Sequence, residues 1–451
     1  MSFSASIEEL VTNSNSGLLG LAAHWSRIAL EDVAAILNGY PWKSSGFNTE
    51  IGEPVIRIRD VTAGQTKTRY LGDVVKGYWI ENGDFLVGMD GDFNCRIWAG
   101  GRALLNQRVC RISPDERYYL KSFLSYALPG YLKLINDETH SITVKHLSSR
   151  TLGEIPLPLP SLPEQRRIVA KIDSLTGKSG RARDHLEHIP RLVEKYKQAI
   201  LAAAFQGDLT REWREEQGLP EPRSIMLGDV AEGFNYGSAA KSAKVGRVPV
   251  LRMGNIQDGK LDWADLVFTD DAAEITKYRL KEGDVLFNRT NSPALVGKTA
   301  LFSGEREAIY AGYLIKVRCK SELLPAFLTY CLNAPNGRAY SWEVKTDGVS
   351  QSNINAKKLA AFRFDLPSTE EQAEIVRRIE VALSWVSRIT VDATSARKLV
   401  DRLDQALLAK AFKGELVPQN PTDEPASALL ERVRAKRAAA PKAKRGRKES
   451  A

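Results

Sequence analysis

Each half of this 451-residue chain carries loops stocked with side chains that pair with base edges and phosphates. In the first half these are Arg57, Arg59, Lys67, Arg69, Asn94, Arg96, Arg102 and Arg108, with Lys145 further on. In the second they are Arg252, Asn255, Lys260, Arg289, Asn291, Lys298, Ser350, Gln351 and Asn353. Arg forks onto guanine and Asn or Gln onto adenine, while Ser, Thr and Lys suit phosphate oxygens. Tyr40, Trp42, Trp98 and Tyr236 lie in similar loops. Any one of these residues reads as ordinary solvated loop chemistry. Their recurrence on two related segments points to DNA.

Other chemistries find little support. Gly297-Lys298-Thr299 is the tail of a P-loop, but Ser292 stands where its first glycine belongs, and the tripeptide lies in a strand-like stretch. The chain has no G-x-G-x-x-G, no Pro-Pro pair for an amino-methyltransferase motif and no G-x-S-x-G elbow. His185 and His188 on a predicted helix, and His140 and His146 around a loop, lack the clustered Cys, Asp or Glu of a metal site. No two of the four cysteines stand at C-x-x-C spacing. The expectation is a chain with no catalytic residue, no metal and no bound cofactor. A nuclease site among scattered carboxylates stays open as an alternative. The acidic start does not read as a signal peptide, and no apolar run is long enough to span a membrane, so a soluble protein of the cytoplasm is expected.

The elements that must position the loops come from an internal repeat. LPSLPEQRRIVAKI at 159–172 matches LPSTEEQAEIVRRI at 366–379, and AFQGDL at 204–209 matches AFKGEL at 411–416, both at an offset of 207. Ahead of each copy the likeness survives in patches whose offset drifts through 197, 200 and 204, so loops differ in length while the elements keep their order. A domain followed by a helix is used twice.

The duplicated part reads as helix. Ser161 and Ser368 are N-cap candidates, with Glu164 and Glu371 at capping-box spacing. Gly207 and Gly414 stand where a glycine would end each helix. Apolar residues at helical spacing, Ile168, Ile172, Val193, Tyr196 and Ile200 against Ile375, Ile379, Val400, Leu403 and Leu407, predict that the helices pack on one another as a coiled coil. Forty-odd helical residues span roughly 60 Å. Gly177, Gly180 and Pro190 predict a break or kink in the first copy only. The segments ahead of the helices read as mixed α/β with short strands. Pro114 and Pro325 precede predicted amphipathic helices ending near Leu128 and Leu332.

The chain resembles the DNA specificity subunits of type I restriction–modification systems over nearly its whole length. The resembling stretches are 83–109, 157–171, 189–216, 251–268, 283–290, 348–354 and 366–380. The resemblance implies an α+β fold: two mixed α/β target-recognition domains separated by two long helices that form an antiparallel coiled coil, with pseudo-twofold repetition. The domains are placed at 1–158 and 223–365, the helix regions at 159–222 and 366–418, and a flexible basic tail at 419–451. The resemblance implies that each domain reads one half of a bipartite, asymmetric site on double-stranded DNA. It further implies a non-catalytic subunit docking two methyltransferase subunits and, through them, two motor–nuclease restriction subunits. S-adenosylmethionine, ATP and Mg would then be used by those partners. A specificity subunit of a related system with a fused methylase–nuclease partner is the alternative, and a DNA-modifying enzyme with an unrecognised site a more distant one. One departure is Thr143-Val144-Lys145, where the second domain has Ser350-Gln351-Ser352.

The net charge of +9 belongs mostly to the end of the chain. Residues 431–451 hold nine Lys and Arg against two Glu, a net of +7. This low-complexity stretch is expected to be disordered and to add non-specific attraction to phosphates.

Overall fold

The repeat in sequence returns as a repeat of strand pairing. In the computed structural model, which describes residues 5–139, 145–349 and 351–439, the chain forms two compact units. One draws on Met1–His185 and Ala396–Ala451, the other on Leu186–Ser395. The first holds a four-stranded antiparallel sheet in the order Ala34–Asn38, Val109–Pro114, Phe85–Gly88, Asn94–Ile97. The second holds Ala231–Tyr236, Leu314–Cys319, Val285–Asn288, Thr299–Leu301 in the same order. The strands Phe85–Gly88 and Val285–Asn288 are buried at all four positions. Alternate side chains point to opposite faces of a strand, and here both faces are covered. Phe85 and Val87 join one core and Leu86 another, and Val285, Phe287 and Leu286 divide in the same way.

Gly83-Asp84 and Gly283-Asp284 recur at an offset of 200 and build the same turn in both units. Gly83 and Gly283 adopt φ of 90° and 88°, and each following aspartate accepts an N–H three residues back, from Glu81 at 2.9 Å or Lys281 at 2.8 Å. Asp284 is fully buried and takes the Arg318 guanidinium at 2.6 Å. In each unit a short parallel pairing lies beside the main sheet, Glu53–Ile56 with Ala103–Leu105 and Val248–Leu251 with Ile309–Tyr310. A two-stranded ribbon closes each globular segment on itself, Ser26–Ala29 with Pro156–Leu159 and Arg223–Met226 with Arg363–Leu366. Each long helix therefore starts beside the beginning of its own segment.

The long helices span Leu162–Phe205 and Thr369–Phe412, 44 residues each. Ser161 and Ser368 cap them, accepting the N–H of Glu164 at 3.3 Å and of Glu371 at 3.2 Å. The two glutamate side chains do not reach back to complete a capping box. Glu164 accepts Trp25 Nε1 at 3.0 Å, and Glu371 accepts Thr210 Oγ1 at 2.7 Å and Arg214 at 3.2 Å. The next residue is a clamp. Gln165 accepts the Leu120 N–H and donates to the carbonyls of Tyr118 and Pro160. Gln372 accepts the Leu324 N–H and donates to those of Glu322 and Pro367. Left-handed Gly207 and Gly414 follow the helix ends.

Within each unit the two helices run antiparallel. In the first, Ile168 and Ile172 share a core with Ala411 and Phe412, while Arg183 pairs with Asp401 and Asp404. In the second, Ile375 and Ile379 share a core with Leu201 and Ala204, Ile200 packs alongside, and Tyr196 meets Trp385 edge-on at 6.0 Å. Leu407 is buried, and Val193 and Val400 are half-buried. Leu403, expected in the seam, is 61% exposed, and Tyr196 is 42% exposed. A two-helix seam is narrower than the apolar stripe in the sequence, so only part of that stripe is covered.

Three expectations are corrected. The first long helix continues through Gly177, Gly180 and Pro190, so the chain does not break there; Pro190 is exposed. The helix expected to end near Leu128 spans Lys121–Glu138 through Pro129, because buried Tyr131, Leu132 and Ile135 continue its apolar face. Its counterpart does stop, at Asn333: Ala334 precedes Pro335 and is extended (φ −66°, ψ 160°) before a new helix, Pro335–Val344. The segment expected to be a flexible tail contains a helix, Ala426–Ala439, whose Leu429 and Val433 are buried in the first unit's core. Its Lys436 and Arg437 pair with Asp115 and Glu31. Part of the basic charge thus neutralises a local acidic surface. Among the described residues no helix is long and apolar enough to cross a membrane.

Candidate nucleic-acid interface

One backbone frame occurs in both units. Where strand Phe85–Gly88 ends, the Met89 N–H donates to the Arg108 carbonyl at 2.8 Å and the Met89 carbonyl accepts the Leu147 N–H at 2.7 Å. Where Val285–Asn288 ends, the Arg289 N–H donates to the Tyr313 carbonyl at 3.0 Å and the Arg289 carbonyl accepts the Ile354 N–H at 2.9 Å. One residue on, Asp90 bridges His146, and Thr290 pairs with Asn353. Beside the frame, Tyr40 and Ser238 make parallel bridges to Asn106 and Ala311. The preceding Gly39 and Gly237 leave no room for a side chain: a Cβ would lie 1.9 Å from the Asn106 oxygen or 2.3 Å from that of Tyr310.

On this shared frame the side chains differ. In the first unit Asp90 contacts His146 Nδ1 at 2.5 Å and the Arg108 guanidinium at 3.0 Å, and all three remain partly exposed. Arg108 holds φ of 77°, one of two non-glycine residues with positive φ among those described. In the second unit Arg289 lies over the Tyr236 ring at 4.7 Å and donates to the Gly312 carbonyl at 3.2 Å and to Asn353 Oδ1 at 3.3 Å. Asn353 Nδ2 in turn donates to Thr290 Oγ1 at 2.8 Å. Gln351 is exposed in the adjoining hairpin, and Ser350 lies outside the described residues.

The other sequence candidates do not converge on these clusters. Arg57 and Arg59 are exposed at the short helix Ile58–Ala63, and Arg96 is tied to it through the Thr62 carbonyl at 2.7 Å. Lys67 is exposed, while Arg69 donates to the Gly52 carbonyl at 2.8 Å. Asn94 bonds the Asp92 carbonyl, and Arg102 lies over Trp79 at 4.1 Å beside Glu81. Lys145 donates to the Asn136 side chain and carbonyl. Arg252 bonds Asp265. Asn255 is buried, and its amide is spent on the Arg252 N–H and the carbonyls of Asp262 and Asp265, so it shapes a turn rather than facing a ligand. Asn291 accepts the Ser292 N–H, Lys260 is exposed, and Lys298 lies 3.4 Å from Gln257.

The loop aromatics divide likewise. Trp42 and Trp98 are core residues whose ring N–H groups bond the Leu105 and Gly101 carbonyls, and Tyr40 packs on Trp42. Tyr236 alone of the four is exposed, at 43%. Sequence reading passed over Asp90 and Tyr313. The signal that finds Asp90 is its position just beyond the end of strand Phe85–Gly88, matching Thr290. Burial pushes the Cys95, Cys110 and Cys319 thiols up to about 12, so these three remain protonated rather than serving as nucleophiles.

Comparison with known proteins bears on both units. The family model described as the type I restriction modification DNA specificity domain matches residues 23–186 and again 224–388. The specificity subunit of the type I restriction enzyme EcoBI from Escherichia coli is 36% identical over 478 aligned positions, covering all of both chains. That of StySPI from Salmonella potsdam is 28% identical over 94% of this chain and 98% of its own. Among solved structures, a chain from a study of type I R-M complex assembly and conformational transition superposes with a TM-score of 0.63 at 20% identity, covering 88% of this chain and 99% of that one. The HsdS subunit from Thermoanaerobacter tengcongensis superposes with a TM-score of 0.54 at 18% identity, covering 88% of this chain and 98% of its own. The structures bear on the fold alone.

Proposed function

This chain belongs to the type I restriction–modification DNA specificity family, and from that premise we propose that it is the non-catalytic DNA-reading subunit of such a complex. Each compact unit reads one half of a bipartite, asymmetric site on double-stranded DNA, and the paired helices set the gap between the halves. The chain docks two methyltransferase subunits and, through them, two motor–nuclease subunits. Those partners use S-adenosylmethionine, ATP and Mg; this chain supplies sequence discrimination and holds no cofactor. The complex works in the cytoplasm.

The observation that carries this reading is the repeated frame, on which Met89, Asp90 and His146 in one unit stand where Arg289, Thr290 and Asn353 stand in the other. A pair of folds that kept its backbone bonds and changed its polar side chains is suited to reading two different short sequences. Base edges in the major groove differ in their donor and acceptor patterns, so different side-chain sets on one frame select different bases.

The test is methylation of a random-sequence duplex library by the full chain together with its methyltransferase partner. A split consensus of two unlike halves at fixed spacing is expected. Methylation without such a consensus refutes the reading.

A further inference from the structure

We infer that Asp90, Arg108 and His146 in the first unit, and Arg289, Thr290 and Asn353 in the second, are the side chains that fix the bases of the two half-sites. The inference rests on the DNA-reading function proposed above and deepens it to named positions.

Equivalence comes from the backbone. Arg108 and Tyr313 offer the carbonyls that receive the Met89 and Arg289 N–H groups, and Leu147 and Ile354 complete the same pattern. The flanking residues that build the frame are kept in kind: Leu147 and Ile354 are both buried, and Gly39 and Gly237 both stand where a Cβ would collide with backbone. The side chains on top of the frame change in charge and in donor–acceptor sense. A need for folding alone would keep both kinds of residue. A need to read two different sequences keeps the frame and changes its outward groups.

The clusters also retain hydrogen-bonding capacity, unlike buried Asn255. The Asn255 amide is fully engaged within its own unit. By contrast the Asp90, Arg108 and His146 side chains are 22%, 48% and 45% exposed while touching one another. Arg289 Nε and Asn288 Oδ1 have no partner among the described residues, although both atoms are shielded. The Tyr236 ring fixes the plane of the Arg289 guanidinium, and a fixed fork can address guanine O6 and N7 together. The positive φ of Arg108 is the kind of backbone cost that is kept where a side chain must be aimed.

The chemistry assigns unlike tasks to the two clusters. Asp90 offers a carboxylate acceptor, suited to the exocyclic amine of cytosine or adenine, flanked by the cation Arg108. The second cluster offers the Asn353 amide beside Arg289, a purine-reading set. Each cluster therefore governs its own half of the site.

The test uses the full chain with its methyltransferase partner on a random-sequence duplex library, comparing wild type with Asp90→Asn, His146→Gln, Arg289→Lys and Asn353→Asp. Each variant is expected to change base preference about tenfold at one or two positions of a single half-site. The first pair should act on one half and the second pair on the other, with the spacing unchanged. Variants that melt as wild type does and keep its consensus overturn the assignment, as do variants that lower methylation evenly on all sequences. If Arg289→Lys lowers the melting temperature, Asn353→Asp decides for that unit, since its backbone bonds stay in place. A wild-type complex with no split consensus overturns the proposed function itself. A normal wild-type consensus with unaltered variants overturns only these residues.

Discussion

The side-chain carbonyl of Gln372 accepts the backbone N–H of Leu324 at 2.8 Å. Leu324 is the N-cap residue of the helix Pro325–Asn333, so one amide joins the first turn of a long helix to the start of a helix inside its own unit. Gln165 takes the Leu120 N–H, also at 2.8 Å, ahead of the helix Lys121–Glu138. The Glu-Gln pair that opens both copies of the repeat is thus a junction: the glutamate holds a neighbouring segment and the glutamine fixes the helix to its domain.

Replacing Gln372 or Gln165 by Ala strands three backbone groups at a buried site. Each stranded group costs about 1–3 kcal/mol, so a loss of roughly 3 kcal/mol is expected after partial hydration. Thermal melting should show a fall in Tm, and hydrogen exchange should show that the loosening is confined to the unit carrying the change. Gln372→Glu should do at least as much harm, because it sets a carboxylate oxygen against the Glu322 and Pro367 carbonyls that now receive N–H groups.

The segment leading to the C-terminal helix is pinned by Asp423, which receives Arg167 and Ser161. The Arg167 guanidinium holds the Asp423 carboxyl below the usual carboxylate range. A lowered folded pKa contributes stability that is fully present above the ordinary aspartate value near 4 and is lost as pH falls through the depressed value. Hydrogen exchange measured from pH 6 downward should show weakening protection of Ala426–Ala439 below about pH 4. In Asp423→Asn the contribution of this group to that change should be missing.

Truncation should divide the C-terminus at residue 440. Removing 440–451 takes away five Lys and Arg and one Glu. It should weaken salt-sensitive DNA binding while leaving the recognised sequence unchanged, because phosphate attraction carries no base information. Removing the chain from 426 onward also uncovers the sites of Leu429 and Val433 and should lower the melting temperature of the first unit. Leu429→Ala alone should cost about 2–5 kcal/mol. Equal melting of the two truncations would argue against a structural role for the helix.

Gly39→Ala and Gly237→Ala should fail in parallel. In each case the new methyl meets a backbone carbonyl far inside van der Waals contact, 1.9 Å and 2.3 Å away, and no side chain can rotate out of the way. Expression as insoluble protein, or a large fall in Tm confined to one unit, is the expected result. Gly177→Ala is the control: a Cβ there meets nothing within 4 Å, and alanine is the better helix former, so stability should hold or rise.

Much of this was legible in the sequence. The offset of 207 between 159–172 and 366–379 announced two helices and two domains, because copies of equal length imply copies of one element. Ser161 and Ser368 announced the helix starts, since capping is a local bond between residues three apart. The fates of Glu164 and Glu371 were not legible. Their partners Trp25 and Arg214 lie 139 and 157 residues away and meet them only after folding. Leu403 fell in the right period and yet stayed exposed, because a period gives a face of the helix and not the width that its partner covers.

The basic tail was legible as charge, but not that Lys436 and Arg437 would be spent on Asp115 and Glu31. The candidate site divides in the same way. Composition named Arg108, Arg289 and Asn353 among many basic and amide residues and had no means of ranking them. Tertiary structure set Arg108 beside Asp90 and Arg289 beside Asn353, and buried Asn255, Trp42 and Trp98. The physical reason is range. Capping, periodicity and repetition are local properties of the chain, whereas which polar groups remain unspent depends on hydrogen bonds between residues that only the fold brings together.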